Sequence, residues 1–238
     1  MEYRYSAIIL GKKDIGEADR MYILYTKEEG KIVVKAPGSR KNGAKLSSHL
    51  ETGMLSSVSI MRSRGMGRVT SAFCEQSFFE EDLIFPIAHE MMNILYYMNR
   101  YTVEHDKNEN IFDLLMSFLK KAKHFSILGK EERFSLMGSG FLFQLLSHMG
   151  FSFEISRCVS CLEKLEGEQF FFGIQQGGIL CSNCSLIESV GLEIEKNNIK
   201  LFRLFATNAI ENLGKIHVSR KQSDQMRNLL EMFFRNLE

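Results

Sequence analysis

The sequence predicts an α+β protein: an N-terminal five-stranded OB-fold β-barrel, followed by a helical domain that carries a zinc ribbon with four cysteine ligands. Apolar residues alternate with a period of two in the first 75 residues and follow a helical period after Pro86. Two Cys-x-x-Cys pairs interrupt the helical part. The expected domains are residues 1–80 and 81–238, with the ribbon inserted at about 155–190.

The barrel is predicted from five short runs that have strand-like alternation and are separated by turn residues. Two hairpins are expected, around residues 27–30 and 64–67, where glycines suit tight turns. Five short strands in about 70 residues suit a small closed barrel, of which the OB-fold is the five-stranded form. The runs are Tyr3–Leu10, Arg20–Thr26, Lys31–Ala36, Gly53–Met61 and Arg68–Cys74.

The helical part is predicted from apolar stripes spaced at i, i+4, i+7 and i+8. These stripes of Met, Phe and Leu are interpreted as the buried faces of helices. Ser219 and Gln222 have the spacing of a capping box at the start of the last helix. The expected helices begin at Pro86 and continue with Ile111–Leu119, Phe134–Met149, Ile199–Leu213 and Ser219–Leu237.

The charge of the chain is unevenly distributed. The formal net charge is +1, but residues 1–75 carry +5 and the remainder carries −4. Such asymmetry indicates an anionic partner for the predicted barrel, because a solvated surface would mix both signs. Between residues 31 and 68 the sequence has one acidic residue, Glu51, and eight basic residues, which are the candidate nucleic-acid-binding residues: Lys31, Lys35, Arg40, Lys41, Lys45, Arg62, Arg64 and Arg68.

Aromatic residues of the barrel have two open interpretations. Proteins that bind single-stranded nucleic acid combine a cationic groove with aromatic rings on which bases stack. Strand alternation also places half of all strand residues in the core. The residues concerned are Tyr3, Tyr5, Tyr22 and Tyr25. For Glu17, Asp19 and Arg20 we expect a charge network that holds the first hairpin, rather than DNA contact.

The four paired cysteines predict one structural Zn²⁺ ion. Cys158, Cys161, Cys181 and Cys184 form two Cys-x-x-Cys pairs with 19 residues between them, which suits a tetrahedral site with four thiolate ligands. Four protein ligands leave no coordination position open for catalysis. The alternative is a set of four reduced or redox-active thiols.

No catalytic motif is found, so we expect a protein that is not an enzyme. His89-Glu90 lacks the second histidine of a zinc protease, and Gly129-Lys130 is not part of a phosphate-binding loop. The start of the chain does not resemble a secretory signal, and no run of about 18 apolar residues suggests a membrane span. We therefore expect a cytoplasmic protein.

Several motifs together resemble one protein family. They are Asp14-Ile15-Gly16-Glu17-Ala18-Asp19-Arg20, Leu24-Tyr25-Thr26, Gly30-Lys31, Lys35-Ala36-Pro37-Gly38-Ser39-Arg40, Leu46, Leu50, Glu51, Gly150, the two cysteine pairs and Gly177-Gly178-Ile179-Leu180-Cys181. On these residues the sequence resembles the RecO family of bacterial DNA-repair proteins. The family pattern is somewhat more basic after Arg40 than this chain is.

The resemblance implies a recombination mediator. Its expected partners are single- and double-stranded DNA, RecR and the C-terminal tail of the single-stranded-DNA-binding protein SSB, with RecA loaded indirectly. Its expected activity is annealing of complementary strands. Two alternatives stay open: a zinc-ribbon scaffold whose basic barrel binds an acidic protein, and a zinc-dependent hydrolase, which would need an open coordination position.

Overall fold

A computed structural model describes residues 1–41, 43–62, 65–188 and 191–237. The N-terminal strands lie where the alternation predicts them, with a 3-10 turn at Ser47–His49 before the fourth. The first strand continues five residues beyond the expected end at Leu10, because a bulge between Ile9 and Gly11 lets pairing continue through polar residues. The strands are β1 Glu2–Ile15, β2 Asp19–Thr26, β3 Gly30–Ala36, β4 Met54–Met61 and β5 Gly67–Ser77.

The five strands close into a barrel in the order β1-β2-β3-β5-β4. Closure follows because β1 pairs with β4 as well as with β2. The β3–β5 pairing is parallel and joins Lys35 to Arg68. Inward-facing side chains from all five strands fill the interior: Tyr5, Ala7, Ile9, Tyr22, Leu24, Ile32, Val34, Ala36, Val58, Ile60 and Val69, with Leu50 from the β3–β4 connection.

Burial decides between the two interpretations of the tyrosines. Tyr5, Tyr22 and Tyr25 are 5%, 0% and 1% exposed, which confirms them as buried packing residues. Tyr3 is 43% exposed. Three of the four rings are therefore not free to stack on a base.

In the described part of the helical region, three long helices precede the cysteines, one short helix lies among them and three helices follow. The predicted single helix Ile199–Leu213 is wrong: it ends at Thr207, where the Thr207 and Asn208 side chains hydrogen-bond to carbonyls one turn back. The Ser219–Gln222 capping box is confirmed. The helices are α1 Phe85–Tyr101, α2 Glu109–Leu128, α3 Glu131–His148, α4 Ser182–Glu188, α5 Lys196–Thr207, α6 Ile210–Leu213 and α7 Arg220–Arg235.

A small antiparallel sheet accompanies the cysteines. Its order is β7-β6-β8, with β6 at Phe170–Gly173, β7 at Gly178–Cys181 and β8 at Leu192–Ile194. β6 and β7 pair antiparallel as a hairpin. The three-residue β8 is too short to show an alternation in the sequence.

The chain divides into two compact units, Met1–Gly129 and Lys130–Glu238. The first unit contains the barrel together with α1 and α2. Lys31 Nζ donates to Asn99 O of α1 at 2.7 Å, and His105 N, between the two helices, donates to Lys31 O at 2.9 Å. A domain boundary at residues 80/81 remains a prediction. Among the residues described above, no helix is both long enough and apolar enough to cross a bilayer.

Candidate nucleic-acid interface and metal centre

The outer surface of β1, β2 and β3 carries two rows of side chains that run straight across the strands. The register pairs Ile8 with Tyr25 and Tyr25 with Lys31, which form one row, here called the covered row. The second row, here called the cation row, joins Lys13 to Met21, Met21 to Lys35 and Lys35 to Arg68 on β5.

Residues 99–108 bury the covered row. Tyr25 lies against this segment with its hydroxyl 3.5 Å from Asn108 O. Lys31 is 8% exposed, and burial holds the pKa of its ammonium group below the usual range. A Cβ at Gly30 would lie 2.0 Å from Asp106 O, so only glycine permits this close approach. The prediction that Lys31 contacts DNA is therefore corrected, because its ammonium group is enclosed by the protein.

The cation row lies open to solvent. Lys13 and Arg68 are exposed and make no ion pair with any residue that the structure describes. The side chain of Lys35 is 43% exposed and its Nζ lies 2.8 Å from Asp19 Oδ2. That hydrogen bond lowers the pKa of Asp19, and the backbone N–H of Gly38 and the charge of Arg68 add to the effect.

The connection after β3 brings further cations to this part of the barrel. Arg40 N donates to Ala18 O at 3.0 Å, and its guanidinium group bonds to Gly16 O at 2.6 Å. Lys41 and Lys45 are exposed and, within the described ranges, form no ion pair. The turn that contains Arg40 is thus anchored to the β1–β2 hairpin beside the cation row.

The first hairpin has the expected charge network, but Asp14 takes the place expected for Glu17. Asp14 accepts a hydrogen bond from Arg20 Nε at 2.9 Å and lies 3.3 Å from Arg40 Nε. The guanidinium group of Arg20 is the main cause of the lowered pKa of Asp14. Asp14, rather than Glu17, therefore holds the arginines, and Asp19 holds Lys35.

The remaining predicted cations are constrained or lie elsewhere. Arg62 NH1 bonds to Glu29 Oε1 at 2.7 Å, and its guanidinium group lies 5.6 Å from the centre of the Tyr5 ring. Its charge is therefore compensated within the barrel. Arg64 lies outside the described residues. Lys13 was missed by the sequence reasoning, although the spacing of the β1–β2 hairpin could have placed it opposite Met21.

The four paired cysteines converge as the sequence predicts. Their Sγ atoms all lie within 4.8 Å of one another. Cys161 Sγ and Cys181 Sγ are 4.0 Å apart, close to the separation of about 3.8 Å that Zn–S bonds of about 2.3 Å give in a tetrahedral site. The donor set fits one Zn²⁺ ion held by four thiolates.

The backbone brings the two cysteine pairs together. Val159 N donates to Ile179 O at 2.8 Å, and Ile179 N donates to Glu154 O at 2.9 Å, which fixes the first pair against β7. Burial acts to raise the pKa of the Cys158 thiol. Backbone N–H groups of nearby residues outweigh that effect and lower this pKa to about 7, which favours the thiolate that binds metal.

Comparison with known proteins identifies the family. A family model described as Recombination protein O N terminal matches residues 1–78, and one described as Recombination protein O C terminal matches residues 91–237. A DNA repair protein RecO of Dehalococcoides mccartyi is 30% identical over 92% of this chain and 84% of that protein. The chain belongs to the RecO family. The DNA repair proteins RecO of Bacillus pumilus and Bacillus subtilis are 28% and 24% identical, over 98% and 95% of this chain and 88% and 86% of theirs.

Both parts of the candidate site lie in regions that match the RecO family. The cation row falls within the N-terminal match, and the four cysteines fall within the C-terminal match. The resemblance inferred from the sequence motifs is thus confirmed. The chain is a member of a family of DNA repair proteins.

Proposed function

We propose that this protein is a recombination mediator that binds single- and double-stranded DNA and anneals complementary strands. With RecR it would help to load RecA on DNA covered by SSB. The observation that carries the proposal is the cation row: Lys35 and Arg68 lie side by side on adjoining strands, and Lys13 lies in the same row beyond Met21, on the barrel of a chain from a DNA repair family. A line of exposed cations with this spacing neutralises successive phosphates.

We further propose that the barrel is an OB-fold. Five strands, closure through β1 and a strand order of β1-β2-β3-β5-β4 support this assignment. The outer surface of β2 and β3 is where OB-folds bind oligonucleotides, flanked by the loops after β1 and β4. The cation row lies on that surface. The proposed DNA-binding residues are Lys13, Lys35, Arg40, Lys41, Lys45 and Arg68.

The salt dependence of single-stranded DNA binding tests the phosphate contacts. The double variant Lys35→Gln/Arg68→Gln is expected to lower the slope of log affinity against log salt by about 1.4, since each contact to a single strand contributes about 0.7. The control Lys120→Gln/Lys200→Gln removes two exposed lysines outside the barrel. A salt-independent affinity of the wild type, or equal losses in both variants, would contradict the proposal.

A strand-annealing assay with and without SSB and RecR tests the mediator role. We expect annealing of bare strands, and annealing of SSB-covered strands only when the protein engages SSB. A peptide with the acidic SSB tail separates this proposal from a scaffold that binds acidic proteins through the barrel. Complete displacement of DNA by the peptide would favour the scaffold, whereas a peptide that leaves the cation row free to bind DNA supports the mediator.

We propose that the four cysteines hold one structural Zn²⁺ as a zinc ribbon. A site with four thiolate ligands has no open position, so the metal would stabilise the fold rather than catalyse a reaction, and the protein would act as a non-enzymatic mediator. None of the five cysteines forms a disulfide, which suits the reducing cytoplasm that we propose as its location.

Loss of one ligand tests the structural role of zinc. Cys181→Ser is expected to lower bound zinc and the melting temperature of residues 130–238 first, and DNA affinity only secondarily. Zinc content and thermal unfolding are measured on the full chain, with Cys74→Ser as the matched cysteine control. Lost DNA binding with an unchanged melting temperature would refute this role.

A further inference from the structure

One aromatic ring on β5 of the barrel is largely exposed to solvent. Phe73 on β5 is 63% exposed, although strand residues of this size are usually buried. Its ring stacks on His49, with ring centres 6.0 Å apart and ring planes inclined at 28°. The two rings form a continuous aromatic surface at the edge of the β3–β4 connection.

His49 is held in place from two sides. Its Nδ1 lies 3.3 Å from the backbone N–H of Cys74, which donates to it. Its carbonyl oxygen accepts a hydrogen bond from the Ser56 hydroxyl at 2.6 Å. The imidazole therefore supports Phe73 in a fixed orientation, so the platform needs no ordering when a flat ligand stacks on it.

The surroundings of Phe73 are polar and small. Ser57 lies directly opposite it on β4, and Ser71 precedes it on the same face of β5. Arg4 Nε donates to the Ser57 hydroxyl at 2.8 Å, which places a guanidinium group beside the ring. A protein interface would need a contiguous apolar patch with several large residues, which these neighbours do not provide.

The strand that carries Phe73 also carries one end of the cation row. Arg68 and Phe73 are five residues apart on β5, a distance of about 16 Å that a few nucleotides can span. Ser71 carries a hydroxyl group between them, whereas Thr70 Oγ1 donates its proton to Glu2 Oε1 at 2.5 Å, which places a carboxylate beside this stretch of β5. A nucleic acid whose phosphates cross the strands on the cation row would reach the aromatic pair by turning along β5 at Arg68.

We propose that Phe73 and His49 form a stacking platform for one unpaired base of a single-stranded nucleic acid. This inference rests on the proposed function, because the cation row supplies the phosphate contacts. A stacking platform accepts any base, since every base presents a π-face. It would give the protein a preference for single strands that phosphate contacts alone do not provide.

A tryptophan reporter tests this platform directly. The chain contains no tryptophan, so Phe73→Trp introduces a single emitter at the proposed site. Titration with an oligothymidylate is expected to quench its fluorescence, whereas an abasic oligonucleotide of the same length leaves it unchanged. The control Phe85→Trp places the emitter at another exposed phenylalanine, on α1, and is expected to respond to neither.

An affinity measurement gives the second arm. Phe73→Ala is expected to weaken oligothymidylate binding by about 5- to 150-fold, with unchanged affinity for the abasic strand, and Phe73→Trp is expected to retain the wild-type affinity. Thermal unfolding checks that each variant is folded. Equal quenching by both oligonucleotides, or full affinity of a folded Phe73→Ala, would overturn the platform but leave the salt-dependent function in place. If the wild type binds neither oligonucleotide, both proposals fail.

Discussion

The covered row and the cation row lie on the same strands, but the covered row is buried and the cation row is open to solvent. Lys31 and Lys35 are four residues apart on the same face of β3. Lys31 is buried and donates to a backbone carbonyl, while Lys35 remains partly exposed beside Asp19. The difference arises because residues 99–108 lie over one row and not over the other. The position of a cation relative to the covering segment therefore decides whether it stabilises the barrel or is free to bind an anion.

Replacing the glycine beneath the covering segment is expected to have the largest effect. Gly30 has φ +72°, and a Cβ there would lie 2.0 Å from Asp106 O, so Gly30→Ala combines backbone strain with a clash against the main chain. We expect a loss of about 3 kcal/mol or more in the free energy of unfolding. Chemical denaturation of the full chain measures it.

Gly38 provides a matched control for that substitution. It has φ +71°, but among the described residues a Cβ there would meet Lys41 Cδ alone, at 3.9 Å. Gly38→Ala should therefore show the strain alone, a loss of about 1 kcal/mol. If both alanine variants lost the same stability, the close packing of residues 99–108 on the barrel would be contradicted.

Much of the fold follows from local patterns, and each exception has a cause that the structure shows. All five barrel strands and the Ser219 capping box were predicted because alternation and capping involve neighbouring residues. The continuation of β1 to Ile15 was not predicted, because the bulge between Ile9 and Gly11 interrupts the alternation and the residues after it are mostly exposed and polar. The break after Thr207 was missed because side-chain bonds to the backbone ended an otherwise regular apolar stripe.

The candidate site was predicted in part for similar reasons. The cysteines were found because metal spacing is local, whereas the burial of Lys31 depends on a segment about 70 residues away. Phe73 was missed because simple alternation puts it on the same face as Val69, which is buried. The register shifts by one residue at Thr70, since Ser59 pairs with Ser71 and Ile60 with Val69, and this bulge turns Phe73 outward.

Alanine substitutions of Lys31 and Lys35 are expected to affect different quantities, the first the stability of the protein and the second its affinity for DNA. Lys31→Ala removes a buried side chain and leaves Asn99 O without its donor, which should lower the stability by about 2 kcal/mol with little change in DNA affinity. Lys35→Ala should change the stability by less than about 0.5 kcal/mol and weaken single-stranded DNA binding severalfold. Denaturation and fluorescence anisotropy measure the two quantities, and a large loss of DNA affinity in folded Lys31→Ala would contradict the distinction.

The stability of the protein at alkaline pH tests the contacts that hold residues 99–108 on the barrel. Glu29 accepts hydrogen bonds from Tyr5 at 2.8 Å and from Arg62 at 2.7 Å, and lies 2.6 Å from His105 Nδ1, so it ties the segment to the barrel. Burial and the hydrogen bond to Glu29 raise the pKa of Tyr5 from 10.0 to about 12. Between these values the unfolded chain releases the proton first, so stability should fall as the pH rises.

Tyr5→Phe should therefore flatten this alkaline decline. At neutral pH it should cost about 1 kcal/mol, because the hydrogen bond to Glu29 is lost. Urea denaturation at pH values from about 8 to about 11.5 provides the comparison. The same decline in the variant and in the wild type would show that Tyr5 is not its source.

The smallest expected effect concerns the partial neutralisation of the cation row. Asp19→Asn removes the carboxylate that pairs with Lys35. In the wild type Gly38 N donates to Asp19 Oδ1 at 2.8 Å, and the amide oxygen of the variant can still accept this hydrogen bond. Single-stranded DNA affinity should rise about threefold at low salt, and the gain should vanish at high salt because screening removes it. Asp224→Asn, which removes an exposed carboxylate on α7, is the matched control. Because Asp19 pairs with Lys35, a gain confined to Asp19→Asn would place the DNA phosphates at Lys35. Equal affinity of both variants at low salt would exclude Lys35 as a contact.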